Sequence, residues 1–148
     1  MRFTPLAQKY TVTFILSFTL IGGSIIGQID FSAGSSWKYL KGSAAASLPG
    51  DWMTPDYNDS GWSQANAPFR YGDGAGGTVL GDMINNYSTL YLRSSFNAFS
   101  TNRIKTIQFR VNYDDGFVIW VNGTRVLSRN APATLSNTAL APAHHESG

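Results

Sequence analysis

Acidic and imidazole side chains are few in this chain, and three groups of them could do chemistry. Asp114 and Asp115 are adjacent. His144 and His145, the only histidines, stand beside Glu146, the only glutamate, and Asp73 and Asp82 lie in a glycine-rich stretch. Glycoside hydrolysis needs two carboxylates held about 5–10 Å apart. Asp114-Asp115 instead precedes Gly116 at a turn, where Asp characteristically accepts backbone N–H groups, and that role accounts for the pair. Neighbouring histidines on an extended chain point in opposite directions and share no metal by themselves, so residues 144–146 read as a solvated tail. The sequence contains no Gly-x-Ser-x-Gly elbow and no phosphate loop. These residues argue against an enzyme.

Binding chemistry has more to work with. Sixteen of the twenty aromatic residues, including all four tryptophans, lie after residue 27. Sugar recognition combines an aromatic face with polar groups that take hydroxyls, the division of labour of small-ligand sites generally. The candidate ligand-binding residues are Trp62, Tyr71, Tyr87 and Trp120, with Arg70, Asp73 and Asn122 as polar neighbours. A small β domain also needs aromatics for its core, and Trp37, Phe96, Phe109 and Phe117 are expected there. Core packing is the stronger reading for Trp62 and Trp120 too. Trp120 is ambiguous because Phe117, Ile119 and Val121 face one way, Val118 and Trp120 the other, and both sets are apolar. A structural calcium is a further candidate, with Asp73 and Asp82 as ligands, because hard cations take closely spaced carboxylates and loop carbonyls. Glycines that supply positive φ explain the same loop without a metal.

The elements that must position these residues are strands. Asn122-Gly123 favours a type I′ turn, so Val121 and Thr124 should pair across a tight hairpin. Before it, Ile107, Phe109, Val111 and Tyr113 alternate with polar residues, the period of a half-buried strand, here expected over residues 104–113. Residues 89–98 place Leu90, Leu92 and Phe96 on one face, and residues 36–41 form a first strand. Residues 42–57 and 66–86 read as long loops. The expected fold is all-β, an antiparallel β-sandwich or jelly roll. Beyond Arg129 the chain turns rich in Ala, Thr, Ser and Pro, and five or six credible strands leave a sandwich short of closure. Residues 36–135 are the expected module, and residues 136–148 a polar tail or an interrupted loop of it.

Residues 1–27 stand apart. Arg2 and Lys9 precede an uncharged run, residues 11–27, diluted by Thr, Ser and Gly, which reads as a secretory signal with cleavage after Gly27. Residues 28–35 then form a short leader. Without residues 1–27, nine basic residues face nine acidic ones, and no basic patch argues for nucleic acid. Cysteine is absent, which fits a bacterial exported domain better than a disulfide scaffold. The expected location is secreted, extracellular or at the cell surface, with no membrane span after cleavage.

Three segments carry a resemblance. They are Trp37-Lys38-Tyr39; Tyr57-Asn58-Asp59-Ser60-Gly61-Trp62 with Ala67-Pro68-Phe69-Arg70-Tyr71-Gly72-Asp73-Gly74; and Tyr91-Leu92-Arg93 with Asp114-Asp115-Gly116 and Val121-Asn122-Gly123. In that order, over residues 35–135, the chain resembles a galactose-binding-like jelly-roll module of large secreted bacterial proteins. The resemblance implies a sandwich with two more strands beyond Asn130-Ala131-Pro132, and therefore a chain that lacks its last strands.

Two functions follow as expectations. One is a non-catalytic accessory module that binds carbohydrate or cell-surface polysaccharide, and the other is a structural spacer or docking domain for a neighbouring domain. A sugar-binding module should expose at least two of its aromatics on one face or rim.

Overall fold

The computed structural model describes residues 13–19, 28–31, 33–72, 75–96 and 106–146. Ten strands run along them: β1 (Thr13–Thr19), β2 (Gln28–Phe31), β3 (Ser36–Lys41), β4 (Ser63–Asn66), β5 (Phe69–Arg70), β6 (Thr78–Val79), β7 (Leu90–Arg93), β8 (Thr106–Asn112), β9 (Phe117–Val121) and β10 (Thr124–Arg129). One short 3-10 turn, Gly42–Ala44, follows β3. The protein is essentially all-β. One antiparallel sheet has the order β2-β1-β8, a second has the order β4-β3-β7, and β9 and β10 form a hairpin. The short pair β5–β6 is parallel. None of the described helices is long and apolar enough to cross a membrane.

The hairpin follows from its turn. Asn122 and Gly123 both take positive φ, +49° and +83°, as a type I′ turn requires, and Thr124 pairs with Val121. The register then shifts between Arg125 and Leu127, a bulge that leaves Val126 exposed on an edge strand. Strand β8 spans seven residues of the alternating run and pairs along its whole length with β1. The uncharged run near the N-terminus thus supplies, through residues 13–19, the central strand of a sheet. Part of the expected leader, residues 28–31, pairs beside it as β2.

Between Trp62 and Tyr87 the structure holds more order than the expected loop over residues 66–86, with β4, β5 and β6 in this stretch. Ser63–Asn66 is polar and poor in β-formers, yet it pairs with β3, with Ala65 opposite Trp37 and the Gln64 amide donating to Ser36 Oγ at 2.8 Å. The core lies on this side of the protein. Phe69 and Leu80 are fully enclosed, and Trp37, Ala67 and Met83 join them. Tyr39 meets Phe69 at 5.4 Å between ring centroids. Enclosing an aromatic or leucine side chain contributes roughly 1.5–3 kcal/mol each, so Phe69 and Leu80 anchor this part of the fold.

The segment after β10 folds back onto the module. Thr89 Oγ1 donates to the Asn137 carbonyl, and the Asn137 amide donates to the Gly42 carbonyl at 3.1 Å. Gly42 makes this approach feasible, since a Cβ there would lie 2.6 Å from the Asn137 oxygen. Through residue 146 the chain is a strap tied to the module.

Candidate functional site

The loop between β3 and β4 turns tightly around two prolines. Trp52 N–H donates to the Pro49 carbonyl at 3.2 Å, and Thr54 N–H to the Asp51 carbonyl at 2.8 Å. These turns aim Trp52 inward, where it becomes the hub of an aromatic cluster. Its ring stacks with Trp62 at 6.1 Å and meets Tyr91 and Trp120 edge-on, each at 5.2 Å. Such edge-to-face pairs are favoured by the ring quadrupole and add about 0.5–1.5 kcal/mol each beyond area burial. Arg93 fixes the loop from β7. Its guanidinium donates to Asp59 at 2.9 Å and to the carbonyls of Trp52 and Thr54, and it lies 5.3 Å from the Tyr57 ring centroid. The hairpin turn docks on the same loop through Gly123 N–H, which donates to the Met53 carbonyl at 3.0 Å.

A cleft of about 630 Å³ opens beside this cluster. Trp52, the strap residues Leu135 and Leu140, and strands β7 and β9 all contribute to its lining. Every residue of β7 and every residue of β9 borders it. Neighbouring residues of a strand face opposite ways, so a cavity against a strand's face meets alternate residues, whereas one along its edge meets them all. The burial agrees: all four residues of β7 are half-buried, as are all of β9 except the buried Ile119. Among the described residues, β7 pairs only with β3 and β9 only with β10. The cleft therefore borders two strands that each have a single partner strand among the described residues.

Burial pushes the Tyr91 phenol up, against a smaller opposing effect from its hydrogen bond with Thr89. It remains a neutral donor and acceptor at the cleft.

The aromatics nominated from the sequence fall into separate groups. Trp62 is buried, 8% exposed, under Trp52 and Tyr57, so its candidacy as an exposed stacking ring is corrected: the turn before it folds those rings over its face. Trp120 is half-buried against Trp52 on the cleft. Tyr71 and Tyr87 pack against the Phe69 core instead. The Arg70 guanidinium braces its own loop, donating to the carbonyls of Gly76 at 2.8 Å and Gly72 at 3.2 Å. Asn122 is exposed at the hairpin turn, and Asp73 lies outside the described residues. Of the expected core aromatics Trp37 is buried, Phe109 and Phe117 are half-buried, and Phe96 is exposed at 37%, a correction that follows from its place beyond the paired end of β7.

The candidate metal residue Asp82 is engaged by protein groups. Lys41 Nζ approaches its carboxylate at 2.7 Å and the Tyr87 hydroxyl donates to it at 3.0 Å. The Lys41 hydrogen bond holds the Asp82 carboxyl below the usual carboxylate range. Burial first, and the Asp82 carboxylate second, push the Tyr87 phenol well above its ordinary value. A cation would compete with an ammonium already in place. Among the described residues no group of three or more acidic, histidine or cysteine side chains is arranged to hold a metal.

The acid pair and the histidines meet, which the sequence spacing does not suggest. Asp114 and Asp115 are both buried, at 4% and 2%. Asp115 Oδ1 accepts the backbone N–H of His145 at 2.9 Å and lies 3.3 Å from His144 Nδ1. The His145 ring stacks on Tyr113 at 4.1 Å, with Nδ1 3.2 Å from the Tyr113 carbonyl oxygen. Asn130 completes the tie, its amide donating to the carbonyls of Asp115 and Ala143. Asp115 does satisfy a backbone donor, as the turn reading expects, but the donor comes from the tail. The expectation of a solvated tail is corrected accordingly: His144 and His145 are exposed yet anchored.

Trp52, Tyr91 and Arg93 are not among the site residues nominated from the sequence, although Tyr91 and Arg93 belong to a segment that carries the resemblance. The signal for Trp52 was its setting between Pro49 and Pro55, a constrained loop that holds a large ring at a fixed place. Comparison with family models, with curated proteins and with solved structures finds no match for this chain.

Proposed function

We propose that the chain is a non-catalytic module of an exported protein and that it acts as a docking domain, holding part of a neighbouring polypeptide in the cleft between β7 and β9. The cleft itself carries this reading. It is large, mostly apolar, and bordered by strand edges that lack a second partner among the described residues. Apolar concavities of this size mark binding surfaces more often than inert ones. A galactose-binding-like jelly roll is the form of sandwich this reading adopts, supported by the ordered sequence segments and by the all-β arrangement.

Binding of carbohydrate or cell-surface polysaccharide is the second reading, favoured by one observation. Trp52, Tyr91 and Trp120 converge on the cleft with the Asn122 side chain exposed near its rim. Against it, Trp62 is buried and Tyr71, Tyr87 and Trp120 are half-buried, short of the two exposed rings that the reading asks for.

One titration separates the two. The full chain is mixed with the apolar dye anilinonaphthalene sulfonate and, separately, with a panel of soluble polysaccharides. Docking predicts saturable dye fluorescence that Trp120→Ala reduces, with far-UV circular dichroism and a cooperative unfolding transition retained, and flat responses to every polysaccharide. A saturable polysaccharide response abolished by Trp120→Ala establishes the sugar reading instead. Export is read from the charged start and uncharged run of residues 1–27, part of which pairs as β1. Mass spectrometry of the chain secreted from a bacterial host separates two outcomes: Gln28 at the N-terminus supports export by cleavage, at the loss of β1 from the β2-β1-β8 sheet, whereas an intact N-terminus contradicts cleavage and keeps that strand.

A further inference from the structure

We propose that the occupant of the cleft is an extended, uncharged strand of a partner protein, which adds to the open edge of β9 and lies between it and β7. This rests on the docking reading above and specifies its ligand. Three observations on the cleft select a strand over a helix or a compact ligand.

The first is the order of the lining. Thr89 to Phe96 and Gly116 to Asn122 border the cleft as two unbroken runs, which places backbone edges along it as well as side chains. A strand edge presents a row of N–H and C=O groups spaced for another strand, and edge addition is a recurrent mode of peptide recognition.

The second is that these edges lack the usual protection. Native edges carry inward charges, prolines or bulges. The β9–β10 ladder has its bulge at Val126, opposite the Ile119–Trp120 step, but the extra residue lies in β10, and the sequence of β9, Phe-Val-Ile-Trp-Val, has no charge and no proline. A run of five apolar residues on an open edge would self-associate unless a partner covers it. Five residues of β9 offer a ladder of about 17 Å.

The third is charge. Arg93 is the one charged residue among those lining the cleft. Its guanidinium is already occupied by Asp59 and two carbonyls. A charged occupant would find no free counter-charge there and would lose hydration on entry. Alternating Val and Thr side chains suit the Trp120, Leu90 and Phe117 walls, and main-chain hydrogen bonds supply the direction.

The probe is a synthetic peptide of eight alternating Val and Thr residues, with lysines outside the paired stretch for solubility. It is titrated into the full chain and followed by amide hydrogen exchange. The expected result is saturable binding with new protection of alternate amides in β9, and binding at least about tenfold weaker for the same peptide N-methylated at alternate positions, which removes edge donors. Equal binding of the methylated peptide would overturn the proposal, because it would make the cleft a side-chain groove. Two further results would also overturn it: protection of those amides in the free monomer, which assigns the edge to this chain, and a concentration-dependent dimer in sedimentation, which assigns it to a second copy. Dye binding without peptide binding would defeat the strand and leave docking standing, whereas loss of both would defeat docking itself.

Discussion

Trp52 and Trp120 meet edge-to-face at 5.2 Å, and through that contact a loop and a hairpin some seventy residues apart in sequence line one cleft. Each ring is half-buried, so each holds the other in place while leaving area toward the opening. The pair is both the support of the site and part of its surface.

Trp120→Ala should therefore lower stability by about 2–4 kcal/mol, toward the lower part of the range for large aromatic truncations because the ring is half-buried. Combined with Trp52→Ala, the loss should be less than additive by about 0.5–1.5 kcal/mol. Urea unfolding of the two single variants and the double variant measures both quantities. Strict additivity would show that the rings do not support one another.

Gly123→Ala should cost about 1–2 kcal/mol, because φ of +83° is unfavourable to a residue with a Cβ. The space itself is adequate, with the nearest side-chain atom, Thr54 Cγ2, 3.4 Å from the added carbon. Asn122→Gly should be nearly neutral, since glycine also accepts positive φ. Thermal unfolding of the two variants separates backbone strain from any loss of side-chain contact.

Asp115→Ala should release the strap. It removes the acceptor of the His145 N–H and leaves a buried vacancy, a cost of about 1–3 kcal/mol for the unsatisfied group. Limited proteolysis should then cut within residues 133–146 well before the module is degraded. Asp115→Asn, which keeps an acceptor oxygen, should protect the strap better than alanine.

The Lys41–Asp82–Tyr87 group predicts two pH limits. Asp82 has its pKa lowered in the fold, so its contribution is present above the ordinary Asp value near 4 and disappears as the pH falls through the lowered value. Tyr87 has its pKa raised, so its contribution is whole below about 10 and is lost as the pH rises through the raised value. Tyr87→Phe should flatten the alkaline limb of a stability–pH curve. Asp82→Asn should flatten the acid limb and, by removing the neighbouring carboxylate, soften the alkaline one. The acid effect should be small, because both partners are substantially exposed and water screens their attraction.

The hairpin was legible because its information is local: Asn122-Gly123 admits few turn types, and the apolar residues before it have strand period. The same holds for β3, β7 and β8, although β7 is shorter than residues 89–98 suggest, because pairing with β3 ends at Arg93. Strand β4 was not legible, since Ser63-Gln64-Ala65-Asn66 has no strand propensity and is extended only because β3 lies beside it. The parallel β5–β6 pair is too short to leave a period. At the site, Trp120 and Trp62 were both nominated on residue type; Trp120 is half-buried against Trp52, and Trp62 is buried beneath it. The meeting of Asp115 with His144 and His145 joins residues 29 and 30 positions apart through a returning strap, and spacing along the chain carries no trace of that.

The most direct test of the docking cleft is native-state amide exchange along Phe117–Val121 in the full, unliganded chain. An open β9 edge predicts that amides pointing toward β10 are protected while the intervening ones exchange nearly as fast as those of exposed loops. Uniform strong protection across all five residues would contradict the account, because it would show that a permanent partner already fills the edge on which the function is proposed to rest.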